Sequence, residues 1–87
     1  MPTVWIPSLM QKLTGGEGQI EVEGSTVREV IDNVDARYPG FRERVCDSDG
    51  IKPNLAVAID GEISPEGLRR KVPAVSEVHF LPAMAGG

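Results

Sequence analysis

The chain has 87 residues, 9 basic and 13 acidic, for a net charge of −4 with histidine neutral. That length supplies one domain with one core and no room for a second. The acidic balance argues against nucleic acid, whose phosphates need a basic face, and no apolar run nears the roughly 20 residues of a membrane span.

Thr3-Val4-Trp5-Ile6 is a β-branched and aromatic run closed by Pro7, and it reads as a first strand. Ser8 to Leu13 fits no single pattern, and Thr14-Gly15-Gly16-Glu17-Gly18 is a turn. Gln19 to Glu23 alternates polar and apolar with period two, as a half-buried strand does, so the two runs are expected to form a hairpin. Thr26, with Glu29 three residues on, forms a capping box opening a helix. Val27, Val30, Ile31, Val34 and Tyr38 give that helix one apolar stripe, and Pro39-Gly40 stops it. Phe41 to Cys46 allows one further helical turn with Phe41 and Val45 inward.

Asp47 to Gly50 reads as a loop, and Leu55 to Ile59 as a buried strand ended by the tight-turn pair Asp60-Gly61. Glu62-Ile63 allows a brief return strand, and Leu68 to Val72 is a linker with room for one helical turn. Val75 to Leu81 is the last strand, with Val78 and Phe80 on one face and Glu77, His79 and Leu81 on the other. The order is ββαββ with that small extra strand. A single helix of about three turns cannot make a core alone, so it is expected to lie across one face of a mixed sheet of four to five strands.

The chemical inventory is thin. One histidine, His79, and one cysteine, Cys46, fall in different elements, which leaves no Cys-His pair and no metal site. Asp47 and Asp49 lack the remaining ligands of a calcium loop, and Gly15 to Gly18 lacks the Gly-Lys-Ser/Thr ending of a phosphate loop. A lone cysteine excludes an internal disulfide and suits a reducing compartment, and Pro2 to Leu13 lacks the apolar core of a leader, so a cytoplasmic location is expected.

Two features remain. If Val4 and Ile6 face the helix, Trp5 and Pro7 point to the opposite sheet face, where Leu81 joins them if the last strand lies beside the first. Trp5 there is either a covered or singly exposed apolar residue or, with its neighbours, an apolar docking patch at the root of the chain's end. That end reads Leu81-Pro82-Ala83-Met84-Ala85-Gly86-Gly87, and a Gly-Gly pair at a given place arises by chance in about 0.5% of chains. Without a Cβ, glycine can thread a narrow channel and present a terminal carboxylate.

The element order, the single capped helix and the Gly-Gly ending together resemble the MoaD/ThiS family of ubiquitin-like sulfur carrier proteins, over nearly the whole chain. The resemblance implies a β-grasp domain over residues 1–81 and a flexible tail over 82–87. It implies no catalytic machinery and no bound cofactor. ATP is consumed by an E1-like adenylyltransferase of the MoeB/ThiF type, which adenylates the carboxylate of Gly87 before sulfur replaces AMP. Gly86 is then the slender penultimate link, and Pro82, Met84 and Ala85 lie with Trp5, Pro7 and Leu81 against partners. Six residues from Pro82 reach about 20 Å when extended. The Ile6-Pro7-Ser8-Leu9 stretch, Thr14-Gly15-Gly16 and Glu43-Arg44 look closest to CysO-like members, which donate sulfur for cysteine synthesis, and MoaD-like members of molybdopterin synthase share the tail. The sulfur acceptor is accordingly a cysteine synthase-like enzyme or the large subunit of a molybdopterin synthase. Leu81 stands where MoaD-like chains commonly carry an aromatic residue, and the length departs from the shorter ThiS pattern. A ubiquitin-like modifier joined through Gly87 to lysines shares the same activation, and a plain β-grasp binding module needs no Gly-Gly at all.

Overall fold

The computed structural model describes residues 1–83. Strand β1 (Thr3–Trp5) pairs antiparallel with β2 (Gln19–Glu21), Val4 opposite Ile20. The chain between them carries a 3-10 turn at Ser8–Met10. Helix α1 (Val27–Arg37) and the short α2 (Phe41–Val45) follow. A two-stranded hairpin of β3 (Cys46–Asp47) and β4 (Gly50–Ile51) comes next. Then come β5 (Leu55–Ile59), β6 (Glu62–Ile63), a second 3-10 turn at Gly67–Arg69, and β7 (Glu77–Pro82).

The main sheet has five strands in the order β2-β1-β7-β5-β6. The first and last strands are neighbours and run parallel, while the other pairs are antiparallel. Parallel neighbours cannot be joined by a hairpin, and α1 lies in the long connection between them. This is the mixed sheet with one main helix that the sequence predicts.

Both halves of the helix start are visible. Thr26 Oγ1 accepts from the Glu29 N–H at 3.2 Å, as the capping box requires. Glu29 instead reaches Ser25, accepting from its N–H and its hydroxyl, each at 2.9 Å, because Ser25 offers one carboxylate two donors. Those two bonds, the backbone one foremost, hold Glu29 below the ordinary glutamate range. Its contribution to the helix is therefore full above that range and fades as the pH falls through the lowered value. Gly24, at φ 151°, passes so close to α1 that a Cβ there would lie 2.7 Å from Val30 Cγ2 and 2.8 Å from the Val30 nitrogen. At the far end, the Asp35 carboxylate accepts from the Gly40 and Arg42 N–H groups at 3.1 and 3.0 Å, tying α2 to α1.

The stripe of Val27, Val30, Ile31 and Val34 packs on Val4, Ile20, Val57, Ile59, Val78 and Phe80 from the sheet, with Phe41 and Val45 closing one end. The Phe41 and Phe80 rings meet edge to face, centroids 5.5 Å apart. Two expectations are corrected. Asp47 to Gly50 is the turn of a small hairpin rather than a plain loop, with the Asp49 N–H on Asp47 Oδ1 at 2.8 Å and Gly50 at φ 119°. The second strand stops at Glu21, two residues early.

Candidate functional site

Because β1 buries Val4 against the helix, its alternate residue Trp5 emerges on the bare face of the sheet. The registers place Gln19, Trp5, His79, Ala58 and Ile63 in one row across all five strands, and Leu81 opposite Ala56 one pleat further along. Trp5 is 39% exposed, Leu81 38% and Ile63 63%, so this face presents an apolar surface to solvent.

Trp5 is held in place rather than merely exposed. Its Nε1–H donates to Glu77 Oε1 at 2.9 Å, and its ring stacks on His79 with centroids 5.2 Å apart and planes 9° from parallel. Glu77 is itself anchored, its N–H donating to Asp60 Oδ1 at 2.9 Å. A side chain fixed in this way loses little rotamer entropy when a partner covers it. Glu77 and His79 are the site residues that sequence reasoning missed. Period-two alternation puts them on Leu81's face, but only the β1–β7 register brings them to Trp5.

Pro7 lies elsewhere. The chain leaves the strand after Trp5 and enters the 3-10 turn, and strict alternation ends with it. Pro7 lines a groove of about 380 Å³ with Leu9, Leu55, Phe80 and Pro82. It therefore joins the root of the C-terminal segment, and not Trp5 and Leu81. Pro82 is the last residue of β7, opposite Leu55, and the Ala83 N–H donates to the Asn54 carbonyl at 2.9 Å. Proline is tolerated there because β1 reaches only as far as His79, so no neighbouring strand needs the missing N–H on that side. The expected site residues Met84, Ala85, Gly86 and Gly87 lie outside the described residues.

Among the described residues no group of three or more His, Cys, Asp or Glu side chains could hold a metal, and no helix is long and apolar enough to cross a membrane. Cys46 is half-buried, and burial pushes its thiol up while nearby Arg42 pulls it down. At pH 7 its alkylation by iodoacetamide is expected to run several-fold slower than that of an unfolded control, since the thiolate is the reacting form. Equal rates in native and urea-unfolded protein contradict this.

The sequence pattern of the ThiS family matches residues 4–87. The sulfur carrier protein CysO of Mycobacterium tuberculosis strain H37Rv is 31% identical over 90 residues, covering 98% of this chain and 97% of the relative. A chain of the Amycolatopsis orientalis BexX/CysO complex superposes with a TM-score of 0.91 at 34% identity, covering the whole of both chains. The small archaeal modifier protein 1 of Methanosarcina acetivorans shares the fold, with a TM-score of 0.77 at 19% identity over 99% of this chain and 95% of its own.

Proposed function

The chain belongs to the ThiS family of ubiquitin-like sulfur carrier proteins, with the β-grasp fold of the CysO/MoaD type, and on that premise we propose that Gly87 carries the sulfur as a C-terminal thiocarboxylate. The observation that carries this reading is the course of β7. It runs up the centre of the sheet past the braced Trp5 face to Pro82, and the Ala83 N–H bonds to the Asn54 carbonyl, with four residues, Met84 to Gly87, following in the sequence.

The chemistry follows from the weakness of a carboxylate as an electrophile. A Gly87 oxygen attacks the α-phosphorus of ATP on an E1-like adenylyltransferase, and pyrophosphate leaves. Hydrosulfide then attacks the acyl carbon, AMP leaves and the sulfur loses its proton, giving the thiocarboxylate. Four residues beyond Ala83 reach about 13–14 Å when extended, enough to enter a partner's active site while the body docks outside. Gly86 keeps that segment slender, with Met84 and Ala85 against the channel wall. An acyl-adenylate enclosed in such a channel is shielded from hydrolysis. The carrier supplies the acyl group and the partners supply the catalysis, so this chain needs no catalytic side chain and no cofactor of its own.

The acceptor is a cysteine-forming synthase, the role that fits a CysO-like carrier. Leu81 in place of an aromatic residue counts against a molybdopterin synthase large subunit. A cytoplasmic setting follows from the ATP-dependent partner. The test is intact-mass spectrometry after incubation with ATP, a sulfide donor and an E1-like enzyme from the source organism. Exchange of one oxygen for sulfur at Gly87 is expected. An unchanged C-terminus defeats the proposal, and an isopeptide bond from Gly87 to a lysine makes the chain a modifier instead.

The docking role of the sheet face has its own test. Trp5→Ala and Leu81→Asp should each weaken binding to the activating enzyme by about 1–3 kcal/mol, read by calorimetry, with little change in melting temperature. Equal losses of stability and affinity return both residues to a purely structural role.

A further inference from the structure

Three arginines line one cleft. Arg28 stands in the first turn of α1, and Arg69 and Arg70 belong to the second 3-10 turn and its C-terminal cap. The cleft, of about 560 Å³, lies at the β5–β6 edge of the sheet, and its apolar lining includes Leu55, Ile63 and Leu68. Local structure does not account for Arg28, because a cation in the first turn of a helix sits at the positive end of its dipole. Nor does ion pairing. Among the described residues the one ion pair within 4.0 Å joins Arg42 to Asp32, so no carboxylate lies that close to Arg28, Arg69 or Arg70. Arg70 is anchored by a bond from Nη1 to the Val57 carbonyl at 3.2 Å. Asp49 and Glu66 also line the cleft, and Glu66 Oε1 already accepts from the Ser64 hydroxyl at 3.0 Å. Three cations therefore meet two carboxylates, a local positive excess on a chain of net charge −4.

We propose that this cleft receives an acidic, partly apolar segment of a partner protein. Charge complementarity sets the sign, and size and lining set the class. At about 30 Å³ per water the cleft holds roughly nineteen waters, far more than one oxyanion fills. Its apolar wall offers a free phosphate nothing, whereas side chains alternating with carboxylates use both wall and arginines. Ile63 belongs both to this cleft and to the row containing Trp5, so one partner can span the sheet face and reach around its edge. The inference does not depend on the chemistry of Gly87.

The test is an NMR titration of the full chain with a short peptide of alternating Glu and Leu, and in parallel with its Lys–Leu counterpart and with inorganic phosphate. The acidic peptide is expected to shift the amides of Arg28, Ile63 and Gly67 to Arg70 saturably, with affinity falling as salt rises. Arg28→Gln and Arg69→Gln should each weaken it about threefold and the double variant about tenfold, the scale of exposed charge contacts. Both side chains are exposed, so an unchanged melting temperature is expected and separates lost binding from lost folding. The proposal is overturned if the acidic peptide leaves those amides unmoved, if the Lys–Leu peptide binds as well, if the double variant binds like the parent, or if phosphate alone occupies the cleft.

Discussion

Deleting Gly86 and Gly87 is expected to abolish ATP-dependent thiocarboxylate formation while changing stability by no more than about 0.5 kcal/mol. The two halves of that result rest on different parts of the molecule. The described sheet ends at Pro82, with the Ala83 N–H on the Asn54 carbonyl, and the buried core described lies within residues 4–80, which is why the stability change is expected to be small. The reacting carboxylate, by contrast, moves to Ala85 and falls about 7 Å short when extended. A misplacement of even 1 Å can cost about 100-fold in rate, so a shortfall of several ångströms removes the reaction. Gly86→Val keeps the length and tests the width of the channel, with a loss of about 100-fold expected if the channel admits only a slender chain. Pyrophosphate release in the presence of the activating enzyme reads both variants. Undiminished release from the shortened chain contradicts the assignment of Gly87, and thermal melts of the same samples show whether the body survives.

Phe41→Ala should cost about 3–5 kcal/mol of folding stability, the largest effect expected of a single core truncation here. Phe41 has no exposed surface, and its ring meets Phe80 edge to face. Phe80 belongs to β7, so the cavity opens against the strand that delivers the C-terminal segment. For a domain of this size each kcal/mol moves the melting temperature by about 4–8 °C, which makes a fall of more than about 12 °C the expected reading. Urea unfolding with an unchanged slope assigns the loss to stability rather than to a more compact unfolded state. A loss below about 1 kcal/mol would show that the neighbouring side chains collapse into the space.

The parts legible in the sequence are those where one local rule acts alone. The 3.6-residue stripe from Val27 to Val34 and the Thr26 cap define α1. Alternation from Val78 to Leu81 sorts β7 into an inner and an outer face. Asp60-Gly61 makes its turn with both residues at positive φ, 50° and 85°. The missed features need contacts between distant residues. Strands β3 and β4 have two residues each, too few for any period to appear. Pro7 leaves the Trp5 face because a 3-10 turn interrupts the alternation. The bracing of Trp5 joins residues 72 positions apart, and the arginine cleft takes its side chains from α1 and from the turn after β6. The Gly86-Gly87 ending lies outside the described residues, and the role of Gly87 remains a proposal.

The placement of β7 between β1 and β5 has a mechanical consequence. A pull applied at Ala83 along the axis of β7 acts at right angles to its antiparallel rungs with β5 and obliquely across its parallel rungs with β1. The rungs on both sides are therefore loaded together in shear, where a strand at the sheet's edge would peel away one bond at a time. An enzyme that grips the chain's end tows the whole body behind it. On the proposed function, withdrawing the C-terminal segment from a partner is expected to strain the docking contacts before the fold.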